Sequence, residues 1–191
     1  MANNSLDVTT TKGDVKGGAL WYAPKGTTPP ELEELGTELG SEFKRLGFAS
    51  EDGTSNEIET DGDDKKVWGG IIVGKTQTSF KETYTLRFAC STDLDVLKIV
   101  YGDANVTEDT GKTSAKILHK AGIAPEGVFV VKALTDDGRP RWFVIPKGVP
   151  QRDISVDYTD GDITVYEVTV DANSDDNGVS SYELLNTVPK A

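Results

Sequence analysis

Cysteine and histidine are nearly absent: Cys90 and His119 are the only ones in 191 residues. A single thiol cannot close an intramolecular disulfide, and neither residue has the partners of a zinc site. No G-x-S-x-G string is present, so nucleophile–base catalysis has no visible parts. Long apolar runs are missing too, and none approaches the ~20 residues that span a bilayer. The opening "ANNSLDVTTT" has neither a basic region nor an apolar one, so no secretory signal is expected and the chain is expected to be soluble and made in a cytoplasm. Positive charge is short as well. Twenty Lys and Arg face 32 Asp and Glu, a formal net charge of −12. Such a surface repels phosphates and argues against DNA binding by charge neutralisation. It suits either simple solubility or a wall to which DNA must not stick.

What the chain does have is punctuation. Twenty glycines and eight prolines divide its apolar residues into short clusters, the texture of strands joined by turns. Residues 1–16 are polar, without period, and read as an arm. "GGALWYAP" (17–24) is a first strand. Leu32, Leu35, Leu39, Phe43 and Leu46 follow at helical spacing, but Gly36 and Gly40 each weaken a helix by about 1 kcal/mol relative to Ala, so a short or broken one is expected. Residues 49–66 are acidic, nearly free of apolar side chains, and read as a long loop. From Phe80 to Cys90 apolar residues alternate with polar ones, as in a half-buried strand, with Glu82 the one exception on the apolar face.

"STDLDVLKIVYGD" then changes to helical spacing, with Thr92 and Asp95 placed to cap it and Gly102 to stop it. "GVFVVKAL", "RPRWFVIP", "DISVDY" and "DITVYEVTVDA" are four more strands. Asp137-Gly138 and Asp160-Gly161 are hairpin cues between them. The stretch 173–191 reads as a C-terminal arm with room for one last short strand.

One string tempts a different reading. "GGIIVGKT" (69–76) satisfies G-x-x-x-x-G-K-[ST], the phosphate-binding loop. That loop needs a buried strand before it, a tight curl, and a helix starting at the Lys. Here "DGDDKK" precedes it, Ile71, Ile72 and Val73 resist curling, and an alternating strand follows. Nucleotide binding is not expected. The carboxylates at 59–64 lack the ladder and distal Glu of a calcium loop. Cys90 reads as a small core hydrophobe and His119 as a solvent-facing side chain.

Taken in order, "GALWYAPKGTTPP", "FKRLGFASEDG", "WGGIIVGKTQTSFKETYTLRF", "LKIVYGDANVT", "WFVIPKGVP" and "YTDGDITVYEVTVDA" resemble the major tail proteins, or tail tube subunits, of long-tailed, siphovirus-like bacteriophages, especially those of actinobacterial hosts. The resemblance runs from Gly17 to Ala172. It implies a mainly β fold: two packed, mostly antiparallel sheets, a β-sandwich or partial barrel over 17–172, with one flanking helix and extended arms. It also implies a structural virion protein, not an enzyme, with no cofactor.

In such proteins subunits form hexameric rings that stack into a tube around a tape-measure protein, between tail-tip and terminator proteins. Double-stranded DNA passes through without specific binding. Assembly in the host cytoplasm and residence in the virion tail follow, with no membrane insertion. The resemblance places Glu51, Asp52, Asp61, Asp63 and Asp64 in a loop between subunits or rings. Glu82, Asp153, Asp157 and Glu167 are candidates for a negatively charged lumen, and Trp21, Trp68, Trp142, Phe80 and Tyr84 for packing or interface aromatics. The alternative is a monomeric β-sandwich module that binds carbohydrate on exposed tryptophans.

Overall fold

In the computed structural model, residues 9–14, 18–109, 111, 114–122 and 124–187 are described. They are mainly β, in two antiparallel sheets with one α-helix. The strands are β1 (Thr11–Gly13), β2 (Leu20–Pro24), β3 (Lys44–Gly47), β4 (Ser55–Lys66), β5 (Ile72–Phe88), β6 (Val106–Glu108), β7 (Ala115–Ile117), β8 (Gly127–Thr135), β9 (Pro140–Val156), β10 (Tyr166–Ala172) and β11 (Tyr182–Leu185), with helix α1 (Leu94–Tyr101) after β5. The large sheet runs β3-β2-β8-β9-β10-β5-β4, with β1 added to β8 and β11 to β9; β6 and β7 form the small sheet. The large sheet curls until its ends touch at one bridge, Ala49 to Phe88, without closing into a barrel.

Two apolar cores explain why some strands are apolar on both faces. On one side Leu20, Leu86, Phe88, Phe129, Val131, Ile145 and Val168 pack with α1. On the other Ala23, Val128, Val130, Trp142, Val144 and Leu184 form a second cluster. Alternate residues of β8 and β9 therefore go to opposite cores, so neither strand shows the polar face of a half-buried one. Cys90 and Tyr101 pack against the first core. His119 is exposed and stacks on Tyr101 with ring centroids 4.5 Å apart.

Several expectations change. The helical spacing over 29–48 yields only a single 3-10 turn at Leu32–Glu34, then an irregular run into β3. Leu35, Leu39 and Phe43 pack on the second core, so their spacing serves a sheet face rather than a helix. The acidic segment 49–66 is not a long loop: Ser55–Lys66 is a strand paired along its length with β5. "RPRWFVIP" and "DISVDY" are one strand, β9, which tolerates Pro146 and Pro150 because its pairing slips there on both sides. Asp137-Gly138 makes the β8–β9 turn, Gly138 N–H donating to the Thr135 carbonyl at 2.9 Å. Asp160-Gly161 instead sits in the longer β9–β10 loop.

Helix α1 is capped by Asp93, not by Thr92 with Asp95. The Asp93 Oδ1 accepts from the Asp95 and Val96 N–H groups at 2.8 and 3.3 Å, and Gly102, at φ 96°, ends the helix. The arm 1–16 contributes β1, while residues 1–8 and 15–17 lie outside the described ones. The C-terminal stretch supplies β11.

Lys132 is the least expected member of the interior. Its ammonium lies 4.3 Å from the Trp142 ring centre and 5.1 Å from that of Trp21, and donates to the Thr37 carbonyl at 3.1 Å. Burial pulls its pKa below the ordinary lysine value, while Asp14 and Glu38 partly restore it. The contact pins the irregular 35–43 run to the sheet. Lys132→Ala, which empties the space between two indoles, is expected to cost about 2–3 kcal/mol in urea unfolding. Lys132→Met, which keeps the packing, should cost about 1 kcal/mol or less.

Candidate functional site

Strand β5 has two different halves. From Thr83 to Phe88 it pairs with β10, with β4 on its other side as far as Thr85, and its inward residues enter the first core. From Ile72 to Glu82 it pairs with β4 alone. At about 3.4 Å per residue this ribbon projects roughly 35 Å past the last rung shared with β10. Every residue from Ser55 to Lys81 is exposed. The ribbon turns at Val67–Ile71, where Gly69 and Gly70 take φ of 96° and 81° and the Val67 N–H donates to the Ile71 carbonyl at 2.9 Å. The phosphate-loop string thus runs through a hairpin turn and up a strand, with Lys75 beside Asp64 at 3.7 Å. Trp68 stands at the tip, fully exposed, with Val67, Ile71, Ile72 and Val73 bare around it.

The register sorts the ribbon's faces. Ser55, Glu57, Glu59, Asp61 and Asp63 of β4 oppose Thr85, Thr83, Lys81, Ser79 and Thr76 of β5. This face continues the outer face of the sheet, which carries Arg87 on β5, Glu167 and Asp171 on β10, and Asp153 and Asp157 on or just beyond β9. Neither core lies on it: the first core takes the alternate residues Tyr84, Leu86, Tyr166 and Val168, and the second is built on β2, β8, β9 and β11.

Among the described residues the result is one four-stranded surface outside both cores, β9-β10-β5-β4. Glu57, Glu59, Asp61, Asp63, Asp153, Asp157, Glu167 and Asp171 outnumber its Lys65, Lys81 and Arg87. Arg87 pairs with Glu167 at 2.7 Å, Lys81 lies 4.0 Å from Asp171, and Ser79 donates to Asp61 at 3.2 Å. Among the described residues no three His, Cys, Asp or Glu converge as a metal site, so the acids at 59–64 form a stripe rather than a cage.

The predicted residues distribute unevenly over this geometry. Asp61, Asp63, Asp153, Asp157 and Glu167 share this face. Asp64 points to the opposite face of the ribbon with Lys75, while Glu51 and Asp52 lie exposed in the turn between β3 and β4. Glu82 does not belong with the lumen candidates. It is buried on the inner face, and its Oε1 accepts from Asn56 Nδ2 at 2.9 Å and Ser181 Oγ at 2.7 Å. It fastens the hairpin's root to the C-terminal stretch. The Tyr84 hydroxyl joins this network through Ser181 at 2.9 Å, and burial pushes it up to about 12.

Trp142 is buried and Trp21 half-buried, both against Lys132, so neither is a stacking platform for sugar. Phe80 is half-exposed on the ribbon's inner face. The sequence reading missed Glu57, Glu59 and Asp171. The period-two spacing of acids through "EIETDGD" is a strand signal, masked by the lack of apolar partners.

Among the described residues no helix is long and apolar enough to cross a membrane. Among curated proteins, none matches the chain. The family model for phage tail tube proteins matches residues 2–189, nearly the whole sequence. A mainly β chain with a projecting ribbon and a bare sheet face has the surfaces that self-assembly uses. The chain belongs to the phage tail tube protein family, a structural, self-assembling component of the virion tail and not an enzyme.

Proposed function

We propose that six copies form a ring, that rings stack into the tube, and that the β9-β10-β5-β4 face lines its bore. The observation that carries this reading is that face itself: four strands wide, free of either core, and acidic. Among the described residues the outer edge of β4 has no strand partner, and pairing it with a neighbour's sheet around a closed ring removes an edge that would aggregate in a monomer. A ring of six multiplies the formal charge of −12 per chain sixfold. With a Debye length of about 8 Å at physiological salt, carboxylates on the bore act on DNA passing close to them. Repulsion without any specific contact lets double-stranded DNA slide. Assembly takes place in the host cytoplasm around a tape-measure protein, bounded by tail-tip and terminator proteins.

The β4–β5 ribbon is also the element that reaches neighbouring subunits and rings in this reading, through its edge and the face carrying Asp64, while Asp61 and Asp63 of the same ribbon look into the bore. The Glu51–Asp52 turn at its root joins it there. Negative-stain imaging with sedimentation velocity should give hollow stacked rings for the full chain, alone or with tail-tip and tape-measure proteins. Replacing 57–81 by a short turn should leave a folded monomer that does not polymerise. A chain that stays monomeric with every tail partner present contradicts the reading.

Charge gives an independent check. Replacing Glu57, Glu59, Asp61 and Asp63 by Lys should leave tubes that retain added DNA at low salt and release it as salt rises. Unaltered tubes should retain none.

A further inference from the structure

We propose that the cleft between the C-terminal end of α1 and the end of β9 binds a small organic anion, with Arg152 taking its carboxylate or phosphate and Tyr158 its apolar body. The site lies on the side of β9 away from the proposed bore, and it stands or falls independently of the tube reading.

A cavity of about 720 Å³ opens there, within the size range of small-molecule sites. Val100, Ile154 and Val156 supply apolar surface, Tyr101, His119 and Tyr158 supply rings, and Lys120 and Arg152 supply positive charge. Among the described residues no carboxylate lines it, although the chain carries a net charge of −12. The cleft beside Tyr22 holds Asp95 and Asp103, and the one beside the β3–β4 turn holds Glu51, Asp157 and Glu167. Two features of the sequence keep acid out of this one. Asp153 and Asp157 alternate with Arg152, Ile154 and Val156, so they take the opposite face of the strand. Between Asp109 and Glu126 the sequence has no Asp or Glu at all, and His119 and Lys120 lie in that stretch.

Arg152 sets the chemistry of the ligand. It is half-buried, and its Nη1 donates to the Val100 and Ile99 carbonyls at 2.6 and 3.3 Å. Those bonds hold the guanidinium against the end of the helix and leave Nε and Nη2 without an acceptor among the described residues. Neither nitrogen is shut off from solvent. The Nε–Nη2 edge presents two parallel N–H groups, which take a carboxylate or phosphate with two bonds at once. Burial pulls the Arg152 pKa below the ordinary arginine value, and among the described residues no carboxylate offsets that effect. A bound anion supplies the missing countercharge. Tyr158, 74% exposed, offers a bare ring to the ligand's body, whereas Tyr101 already stacks on His119 at 4.5 Å. Lys120 stands exposed at the rim, where it adds charge of the right sign.

The test is ligand-observed saturation-transfer NMR on the full chain, with benzoate, phenyl phosphate and the neutral benzamide as probes. Benzoate or phenyl phosphate should bind with a Kd of about 1 mM or tighter, and the tighter of the two identifies the head group. Benzamide should bind about tenfold more weakly, because it brings no charge to the guanidinium. Arg152→Lys, which keeps a cation and a donor for the helix carbonyls but loses the fork, should weaken the anion about tenfold. Tyr158→Ala, at an exposed position, should weaken it about threefold and leave the unfolding midpoint unchanged. If Arg152→Lys fails to fold, Tyr158→Ala and the exposed Lys120→Ala decide the matter. No binding of either anion to the unaltered chain overturns the proposal, and so does equal affinity for benzamide. Binding that is unchanged in every folded variant places the anion elsewhere and overturns it too. None of these outcomes touches the assembly of rings or tubes.

Discussion

A two-stranded ribbon buries too little surface to hold itself in water, and the β4–β5 hairpin is such a ribbon over most of its length. Everything around it answers that deficit. Its root is anchored where β5 enters the first core through Tyr84, Leu86 and Phe88. The Glu82–Asn56–Ser181 network fixes the strand that leaves the body. Its far end carries apolar residues that are exposed among the described residues. Burial is therefore concentrated in the body, and the hairpin stands outside both cores.

The same division governs charge. A carboxylate stripe is costly against a core and costs nothing in water. The acids of β4 other than Asp64, with those of β9 and β10, sit on the sheet face that neither core lies on. The two cores fill the other faces through strands whose residues alternate between them. Apolar burial therefore decides which sheet face stays open, and the open face is where acidic residues accumulate.

How much of this was legible in the sequence depends on where the signal lay. Strand β5 was visible from Phe80 onward because one face is buried, and β8 from its apolar run. Its double burial was not visible, because periodicity cannot show two cores at once. The segment 49–66 has the sequence of a loop because strand patterns show as apolar alternation, and a ribbon exposed on both faces has none. The helical spacing of Leu32, Leu35, Leu39 and Phe43 misled, since packing on the second core outweighed a propensity already weakened by Gly36 and Gly40. Glu82 stood out correctly as an exception on an apolar face, but its partner Ser181 lies 99 residues away. Phage tail tube membership came from segments scattered over the chain. No single motif carried it, and the one string that looked like a motif was a hairpin turn.

A helical reconstruction of assembled tubes by electron cryomicroscopy tests the central claim most directly, by locating Glu57, Glu59, Asp61, Asp63 and Glu167 relative to the tube axis. The account predicts that these side chains face the bore and that the β4 edge is paired with a neighbouring subunit. Finding the β9-β10-β5-β4 face on the outside of the tube, or buried between rings, would contradict it.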